Sequence, residues 1–351
     1  MLASRMNKLT PYVPGEQPRD RRYIKLNTNE NPYPPSPRIE NFLKAFDIEN
    51  LRLYSDPLSG DLRRRIAERY GVGEEQVFVS NGSDEALSFC FYAFFDSDTG
   101  PLIFPEFTYS FYPVYCDFYQ IAYERAPLDN EFGVDLEALL EKPSCGLIFA
   151  NPNAPTGHCL TIDRIRSLLE RYPKDRVIII DEAYIDFGGD SAVGLVQSFP
   201  NLVIVQTFSK SMCLAGLRLG FVIAGEPLIK ALFTVKDSFN SYPTDVLSQK
   251  IGEIAVADTT YYKAITRKII ETRDWFSAQA EDLGWRVLPS KANFVFTSLP
   301  GVEGEMVYSL LKERGILVRH FNVEGIRNFV RITIGKQEDM NRLLREMKKA
   351  F

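Results

Sequence analysis

The chain has 351 residues, of which 45% are hydrophobic, 25% charged and 13% aromatic, and this composition excludes a disordered or fibrous protein. Its formal net charge of −5 and the lack of a long basic run argue against nucleic acids and anionic membranes as partners. The five cysteines form no CxxC pair and the first residues contain no apolar signal core, so we expect a soluble, cytoplasmic protein without a disulfide framework.

The first forty residues are rich in proline, with seven prolines between positions 11 and 37. Proline fixes φ and lacks the backbone N–H that helices and sheets use. We therefore predict that residues 1–40 form an extended N-terminal arm rather than a helix or a central strand.

Short apolar segments alternate with helical patterns through the middle of the chain. The segments that we predict to be strands are residues 77–80, 102–104, 147–150, 177–181, 202–208 and 221–224. Most of them are apolar throughout, which is typical of parallel strands covered on both faces. Between them, residues 162–172 place their apolar side chains on one helical face, and Thr161 is a suitable N-cap. This alternation predicts a large α/β domain over residues 41–244, with a mostly parallel, doubly wound sheet that binds ligands at the carboxyl ends of its strands.

A different pattern begins near residue 245. The elements that we predict from there are a long helix at 245–283, a strand at 293–296, a helix at 305–314, strands at 316–319 and 329–334, and a basic final helix. We therefore expect a second, smaller α+β domain over residues 245–351.

Several common catalytic motifs are absent from the sequence. It contains neither GxGxxG nor GxxxxGK[ST], which argues against a Rossmann dinucleotide site and a P-loop. His158 and His320 are its only histidines, so we expect no metal site and find little support for a Ser-His-Asp triad. An enzyme with so little histidine needs another group to move protons, or a cofactor.

Two side chains that follow predicted strands point to such a cofactor. Lys210 comes after the strand that begins at residue 202, and a desolvated lysine can form a Schiff base or transfer a proton. Asp181 ends a buried strand, where a carboxylate needs a cation such as a protonated pyridine nitrogen. Tyr184 could donate to the phenolate oxygen of the same ring. The alternatives are a solvated loop lysine, a helix N-cap and a packing tyrosine.

A phosphate site is suggested by the turn that contains Gly82 and Ser83, between a strand and a helix. The amide groups that follow this glycine point out of the helix N-terminus, where a phosphate is favoured. Arg218 could bind the same phosphate, Tyr109 could stack on a planar ring, and the loop at 151–157 presents an amide. The alternatives are ordinary turns, a surface ion pair and a core aromatic residue. Together these groups fit pyridoxal phosphate.

On these motifs the chain resembles the fold-type I pyridoxal-phosphate-dependent aminotransferases, and within them the histidinol-phosphate branch. The segments that carry the resemblance are residues 9–15, 26–37, 54–57, 81–85, 151–157, 181–184, 209–218 and 329–335. The resemblance implies a large domain with a mostly parallel, doubly wound sheet and a smaller α+β domain, assembled as a homodimer.

The resemblance also implies a role for individual residues. The cofactor contacts are the Schiff base at Lys210, the pyridine nitrogen at Asp181, the phenolate oxygen at Tyr184 and Asn153, the stacked ring at Tyr109, and the phosphate at Gly82, Ser83, Asp84 (through its backbone), Ser209, Arg218 and, from the other subunit, Tyr54. The substrate contacts are Tyr12, Asn29, Arg319 and Arg331. Many relatives have an asparagine directly before Pro-Thr-Gly where this chain has Ala154, and we expect Asn153 to replace it.

The reaction that the resemblance implies is transamination between histidinol phosphate and 2-oxoglutarate in histidine biosynthesis. Lys210 is then expected to move the proton of the substrate α-carbon. Three alternatives remain open: a threonine-phosphate decarboxylase, an aromatic or general amino-acid aminotransferase, and a cofactor-sensing module of a transcription regulator. The last would need a DNA-binding domain, for which the chain shows neither the length nor the charge.

Overall fold

The computed structural model describes residues 2–3, 6–7 and 9–351. Its helices are α1 (Pro37–Ala45), α2 (Gly60–Tyr70), α3 (Gly82–Phe94), α4 (Tyr112–Tyr119), α5 (Leu136–Leu140), α6 (Ile162–Arg171), α7 (Glu226–Phe239), α8 (Val246–Ala257), α9 (Thr259–Asp282), α10 (Gly304–Glu313) and α11 (Gln337–Ala350). Its strands are β1 (Ile24–Lys25), β2 (Val77–Ser80), β3 (Leu102–Pro105), β4 (Tyr123–Ala126), β5 (Gly146–Ala150), β6 (Val177–Asp181), β7 (Leu202–Thr207), β8 (Gly220–Ala224), β9 (Arg286–Val287), β10 (Phe294–Ser298), β11 (Ile316–Leu317), β12 (Arg319–His320) and β13 (Val330–Thr333). None of the helices in these residues has the length and apolar composition that a membrane crossing requires.

The large sheet has seven strands in the order β2-β8-β7-β6-β5-β3-β4. All its pairings are parallel except those of β8, which runs antiparallel to both β2 and β7. The predicted mostly parallel sheet is therefore confirmed, and so are the six predicted strands, to within one residue at either end. The structure adds β4, which sequence analysis missed because Glu124 and Arg125 interrupt its apolar pattern at the edge of the sheet.

Both faces of the large sheet are buried, as the apolar strands predicted. Along β6, Ile178 and Ile180 belong to one core cluster, while Ile179 between them belongs to the cluster on the opposite face. Helix α6 covers the first of these faces with Ile165 and Leu168, and Thr161 caps it through a hydrogen bond to the amide of Arg164, as predicted. Burial on two sides fixes the strand ends firmly, and the candidate site lies at those ends.

Four of the remaining strands build a smaller antiparallel sheet in the order β12-β13-β10-β9. Helices α9, α10 and α11 supply Ile269, Phe276, Leu311 and Met340 to a core cluster that also contains Ile332 of β13. The predicted α+β character of this part is thus present. The arm joins it through β1, which pairs in parallel with β11.

Two elements of this part differ from the prediction. The helix predicted over 245–283 is divided at Asp258, whose φ of −92° and ψ of 57° are not helical. The strand predicted over 316–319 is divided into β11 and β12, which belong to different sheets. Ile251 of α8 packs in the large core and Ile269 of α9 in the small one, and the domain boundary after residue 244 stays a prediction.

Candidate active site

Two adjoining cavities lie at the carboxyl edge of the large sheet. The inner cavity, of about 270 Å³, is lined by Ser83, Asp181 and Arg218 among others. The outer cavity, of about 200 Å³, is lined by groups from the arm and from the small sheet, and these include Tyr12, Asn27, Asn29, Arg319 and Arg331. Thr28, Tyr109, Ala154, Tyr184 and Lys210 line both cavities. Most of the residues predicted from sequence therefore lie around one connected space.

Lys210 stands between the two cavities. Strand β7 ends three residues before it, and the loop is fixed because the amide of Phe208 donates to the carbonyl of Leu219 at 3.0 Å. The Lys210 Nζ atom lies 3.5 Å from the carbonyl oxygen of Thr28 and 5.6 Å from the ring centroid of Tyr184. An amine held by so few contacts is free to react with a group in either cavity.

The carboxyl group of Asp181 is buried at the end of β6. It accepts hydrogen bonds from the Tyr112 hydroxyl at 3.0 Å and from the amide of Ala183 at 3.1 Å. Burial raises the pKa of Asp181 to about 6, although these two hydrogen bonds and Lys210 lower it. A buried carboxyl group at a cavity wall fits a ligand that brings a positive charge, such as a pyridinium nitrogen. Tyr112 was not predicted, because one tyrosine in an aromatic segment gives no sign of its partner.

The turn before α3 lies against Arg218 and against strand β8. Gly82 has a φ of +83°, and a Cβ atom there would lie 2.7 Å from the Arg218 guanidinium. A Cβ atom on Gly220 would lie 2.4 Å from the backbone nitrogen of Ser83. Glycine is therefore required at both positions, once for the backbone conformation and once for the close approach of two chain segments. The result is a helix N-terminus held beside a cation.

The Arg218 guanidinium has an anionic neighbour. It donates to Asp84 Oδ2 at 3.0 Å and to Ser209 Oγ at 3.4 Å, and Asp84 Oδ1 accepts a hydrogen bond from Tyr109 at 2.9 Å. Together with Ser83 these groups supply a guanidinium, two hydroxyl groups and a helix N-terminus at one end of the inner cavity. This donor set fits a phosphate group, and the phosphate contacts of these residues stay a prediction.

Asn153 does not reach either cavity. Its amide nitrogen donates to the carbonyl of Phe107 at 2.8 Å and to Thr156 Oγ1 at 3.1 Å, and its amide oxygen accepts from Thr108 at 2.9 Å. Ala154 lines both cavities instead. Both ends of the Asn153 amide are thus hydrogen-bonded to neighbouring chain segments, and its contact with the cofactor stays a prediction.

Tyr54 also lies away from both cavities. Its side chain is 84% exposed and stacks on Tyr242, with 4.5 Å between the ring centroids. The predicted role of Tyr54 is in the site of a second subunit, so its position in one chain leaves that role a prediction.

The outer cavity is rich in cations. Arg319 donates to the carbonyl of Val13 at 3.3 Å, and Arg331 donates to the carbonyl of Asn27 at 3.1 Å. The Nε atom of Arg331 is buried without a hydrogen-bond partner. Within the described residues, no aspartate or glutamate lines this cavity. The arrangement fits an anionic substrate that would use the free donors.

Comparison with known proteins shows the family of the chain. The family model described as "Aminotransferase class I and II" matches residues 21–347. A histidinol-phosphate aminotransferase from Syntrophus aciditrophicus is 61% identical over 100% of this chain and 98% of its own length. One from Chromohalobacter salexigens is 50% identical, over 97% of this chain and 95% of its own length.

Among solved structures, the fold is similar to that of histidinol-phosphate aminotransferase from Sinorhizobium meliloti, which was solved in complex with pyridoxal-5'-phosphate. The TM-score is 0.85 and the sequence identity 22%, with 94% of this chain and 91% of that one covered. This likeness confirms the predicted fold class, since the mostly parallel large sheet and the smaller α+β part are shared.

The first prediction concerns Asp181. Because its pKa is raised from 3.8 to about 6, the native apoprotein binds this proton more tightly than the unfolded chain does, and stability falls as the pH rises through this range. We expect Asp181→Asn to raise the unfolding free energy of the apoprotein. Above pH 7 the increase over wild type should reach about 3 kcal/mol at most, and it should shrink toward pH 4. Denaturant unfolding between pH 4 and 8 measures it.

The same variant should bind pyridoxal phosphate more weakly, because an amide cannot neutralise a pyridinium. Glu182→Gln is the matched control, since the Glu182 carboxylate is held by Ser191 and Gln206 away from both cavities. Equal cofactor affinity in the two variants would contradict the pairing assigned to Asp181.

The second prediction concerns Gly220. A Cβ atom there would push the backbone of the Ser83 turn away, so Gly220→Ala should weaken cofactor binding roughly 10-fold or more and cost about 1–3 kcal/mol of stability. Gly194→Ala is the control, because a Cβ atom on Gly194 would meet nothing within 4 Å. Equilibrium titration with pyridoxal phosphate measures the cofactor affinity. Wild-type affinity in both variants would contradict the role assigned to the contact between Gly220 and the Ser83 backbone.

Proposed function

Because the chain belongs to the aminotransferase class I and II family, which depends on pyridoxal phosphate, we propose that it transfers the amino group of histidinol phosphate to 2-oxoglutarate in histidine biosynthesis. The relatives that match it along its full length carry the name of this activity. The observation that carries the proposal is the outer cavity, which two arginines line and, among the described residues, no acidic side chain does.

The inner cavity would hold the cofactor. Pyridoxal phosphate supplies an aldehyde that binds amines covalently and a ring that accepts the electron pair of the substrate α-carbon. Ser83, Ser209 and Arg218 would bind its phosphate, Asp181 would pair with its ring nitrogen, and Tyr184 would donate to its phenolate oxygen. Tyr109, on the wall of the same cavity, would stack on the ring.

Lys210 is the group that moves the proton in this proposal. Its Nζ atom lies where the inner and outer cavities meet, so one amine reaches both the cofactor and the substrate α-carbon. A neutral amine takes a proton from carbon and returns it to a neighbouring atom, which is the work that histidine performs in other enzymes. His158 and His320 line neither cavity.

The outer cavity would select the substrates by charge. Arg331 and Arg319 bind the phosphate of the amino donor and, in the second half of the reaction, the carboxylates of the acceptor. Tyr12 of the arm lies beside them and would add a hydroxyl donor. The orphaned Nε atom of Arg331 is satisfied once an anion occupies the cavity.

A homodimer is part of the proposal. The segment that carries Tyr54 exposes several large apolar side chains, namely Leu51, Leu53, Tyr54 and Leu58, and Phe239 is exposed as well. This segment is fixed to its own chain, because Ser55 donates to the carbonyl of Thr244. An apolar surface of this kind favours association with a second copy, which would receive Tyr54 at its phosphate site. We also propose that the enzyme acts in the cytoplasm.

The third prediction tests the substrate. Purified holoenzyme should convert histidinol phosphate only in the presence of a keto acceptor, with 2-oxoglutarate giving glutamate, and should release no CO₂ from threonine phosphate. Arg331→Gln should reduce kcat/KM for histidinol phosphate by about 10- to 100-fold, since a charge-assisted hydrogen bond is lost. Arg327→Gln, an exposed arginine outside the cavity, is the control. Release of CO₂ without an acceptor would favour the decarboxylase instead.

The fourth prediction tests the shared site. At limiting cofactor, Tyr54→Ala and Lys210→Ala should each have little activity, because one lacks a phosphate contact and the other the reactive amine. After subunit exchange at equal amounts, about a quarter of wild-type activity should return, since half of the dimers then contain one complete site of two. A mixture that stays as inactive as its components would argue against Tyr54 acting in the partner's site.

A further inference from the structure

Asn29 is held by four hydrogen bonds. It is 2% exposed and has a φ of 56°, in the left-handed region. Its backbone amide donates to Thr333 Oγ1, the Thr333 hydroxyl donates to Asn29 Oδ1, and Asn293 Nδ2 donates to the Asn29 carbonyl, each at 3.0 Å. Its own amide nitrogen donates to the Tyr184 hydroxyl oxygen, also at 3.0 Å.

These bonds determine which way the Asn29 side chain faces. The Thr333 hydroxyl has one proton, and its oxygen already accepts the backbone N–H of Asn29. With Asn29 Oδ1 toward Thr333, that proton has an acceptor. The flipped amide would present NH₂ to Thr333 and leave a hydroxyl proton without an acceptor at a residue that is 2% exposed. The amide nitrogen therefore faces Tyr184.

The orientation of Asn29 in turn determines the direction of the Tyr184 proton. An amide NH₂ group donates and cannot accept, so the Tyr184 oxygen must be the acceptor in this contact. The hydroxyl proton of Tyr184 cannot point toward Asn29. Because Tyr184 lines the inner cavity, its proton is available to an acceptor there.

The wall near Tyr184 offers little else to such an acceptor. Ala154 presents a methyl group to both cavities, and the amide of Asn153 is bonded to Phe107, Thr108 and Thr156. An anionic oxygen on the ring of a bound cofactor therefore depends strongly on the Tyr184 hydroxyl.

We propose that Asn29 is a positioning residue that acts through Tyr184, directing the tyrosine proton into the inner cavity so that it is donated to the ring oxygen of the cofactor. This role differs from the substrate contact predicted for Asn29 from sequence. It rests on the proposed function only in placing pyridoxal phosphate in the inner cavity, and its test therefore uses no substrate.

The test is a pH titration of the visible spectrum of the holoenzyme. Asn29→Asp keeps the shape of the side chain but replaces the donor by an acceptor, so Tyr184 turns its proton toward residue 29. The ring oxygen then loses a donor, and the pKa of the bound chromophore should rise by about one unit, a tenfold change in proton affinity. Tyr184→Phe should shift it in the same direction.

The double variant separates the proposed role from a charge effect. If Asn29 acts through Tyr184, adding Asn29→Asp to Tyr184→Phe should change the pKa of the chromophore far less than it does in wild type. Asn31→Asp is the matched charge control, because Asn31 bonds the carbonyl of Lys210 and not Tyr184. Any shift that it causes should be the same with or without the tyrosine hydroxyl.

Thr333→Val provides an independent variant if the buried aspartate prevents folding or cofactor binding. It removes the hydroxyl that fixes the Asn29 amide, and we expect a smaller rise in the pKa of the chromophore that also disappears in the Tyr184→Phe background. No rise in either variant, or a rise of equal size in both backgrounds, would overturn the proposal. Neither result would bear on which amino substrate the enzyme uses.

Discussion

The site depends on a carboxyl group that is buried at the end of a strand. Strand β6 lies between β5 and β7, so Asp181 is paired on both sides, opposite Ala150 and Val205. Burial makes the charged form of a carboxyl group unfavourable unless a cation lies beside it, and the raised pKa of Asp181 reflects this cost. A pyridinium nitrogen placed against Asp181, as we propose, would relieve this free-energy penalty and would link the stability of the fold to cofactor binding.

The antiparallel strand β8 has a comparable role at the phosphate end. Its pairing with β2 places Gly220 opposite Ser80, directly below the turn that contains Gly82. Arg218 lies two residues before the first residue of this strand. The same chain reversal therefore places both Gly220 and the Arg218 cation at the N-terminus of α3. A parallel strand at this place would enter the sheet from the other end, and its preceding loop would lie far from the cavity.

The amino-acid sequence predicted the features that local patterns encode. Apolar segments gave the strands of the large sheet, and the rule that ligands bind at their carboxyl ends brought Asp181 and Lys210 together. It did not predict the division at Asp258 or the direction of β8, because both follow from tertiary pairing. Nor did it predict the hydrogen bonds of Asn153, because the amide of this residue bonds Phe107, 46 residues away. Likewise, the contact from Asn29 to Tyr184 spans 155 residues, and no periodicity reveals it.

One segment of the arm lies at both cavities. Asn27 and Asn29 line the outer cavity, and Thr28 between them lines both. Arg331 and Thr333 lie two residues apart on β13, so their side chains share one face of the small sheet. Arg331 donates to the carbonyl of Asn27, and Thr333 fixes the amide of Asn29. Arg331 of the outer cavity and Tyr184, which Asn29 contacts, are therefore both held by one short segment and one strand.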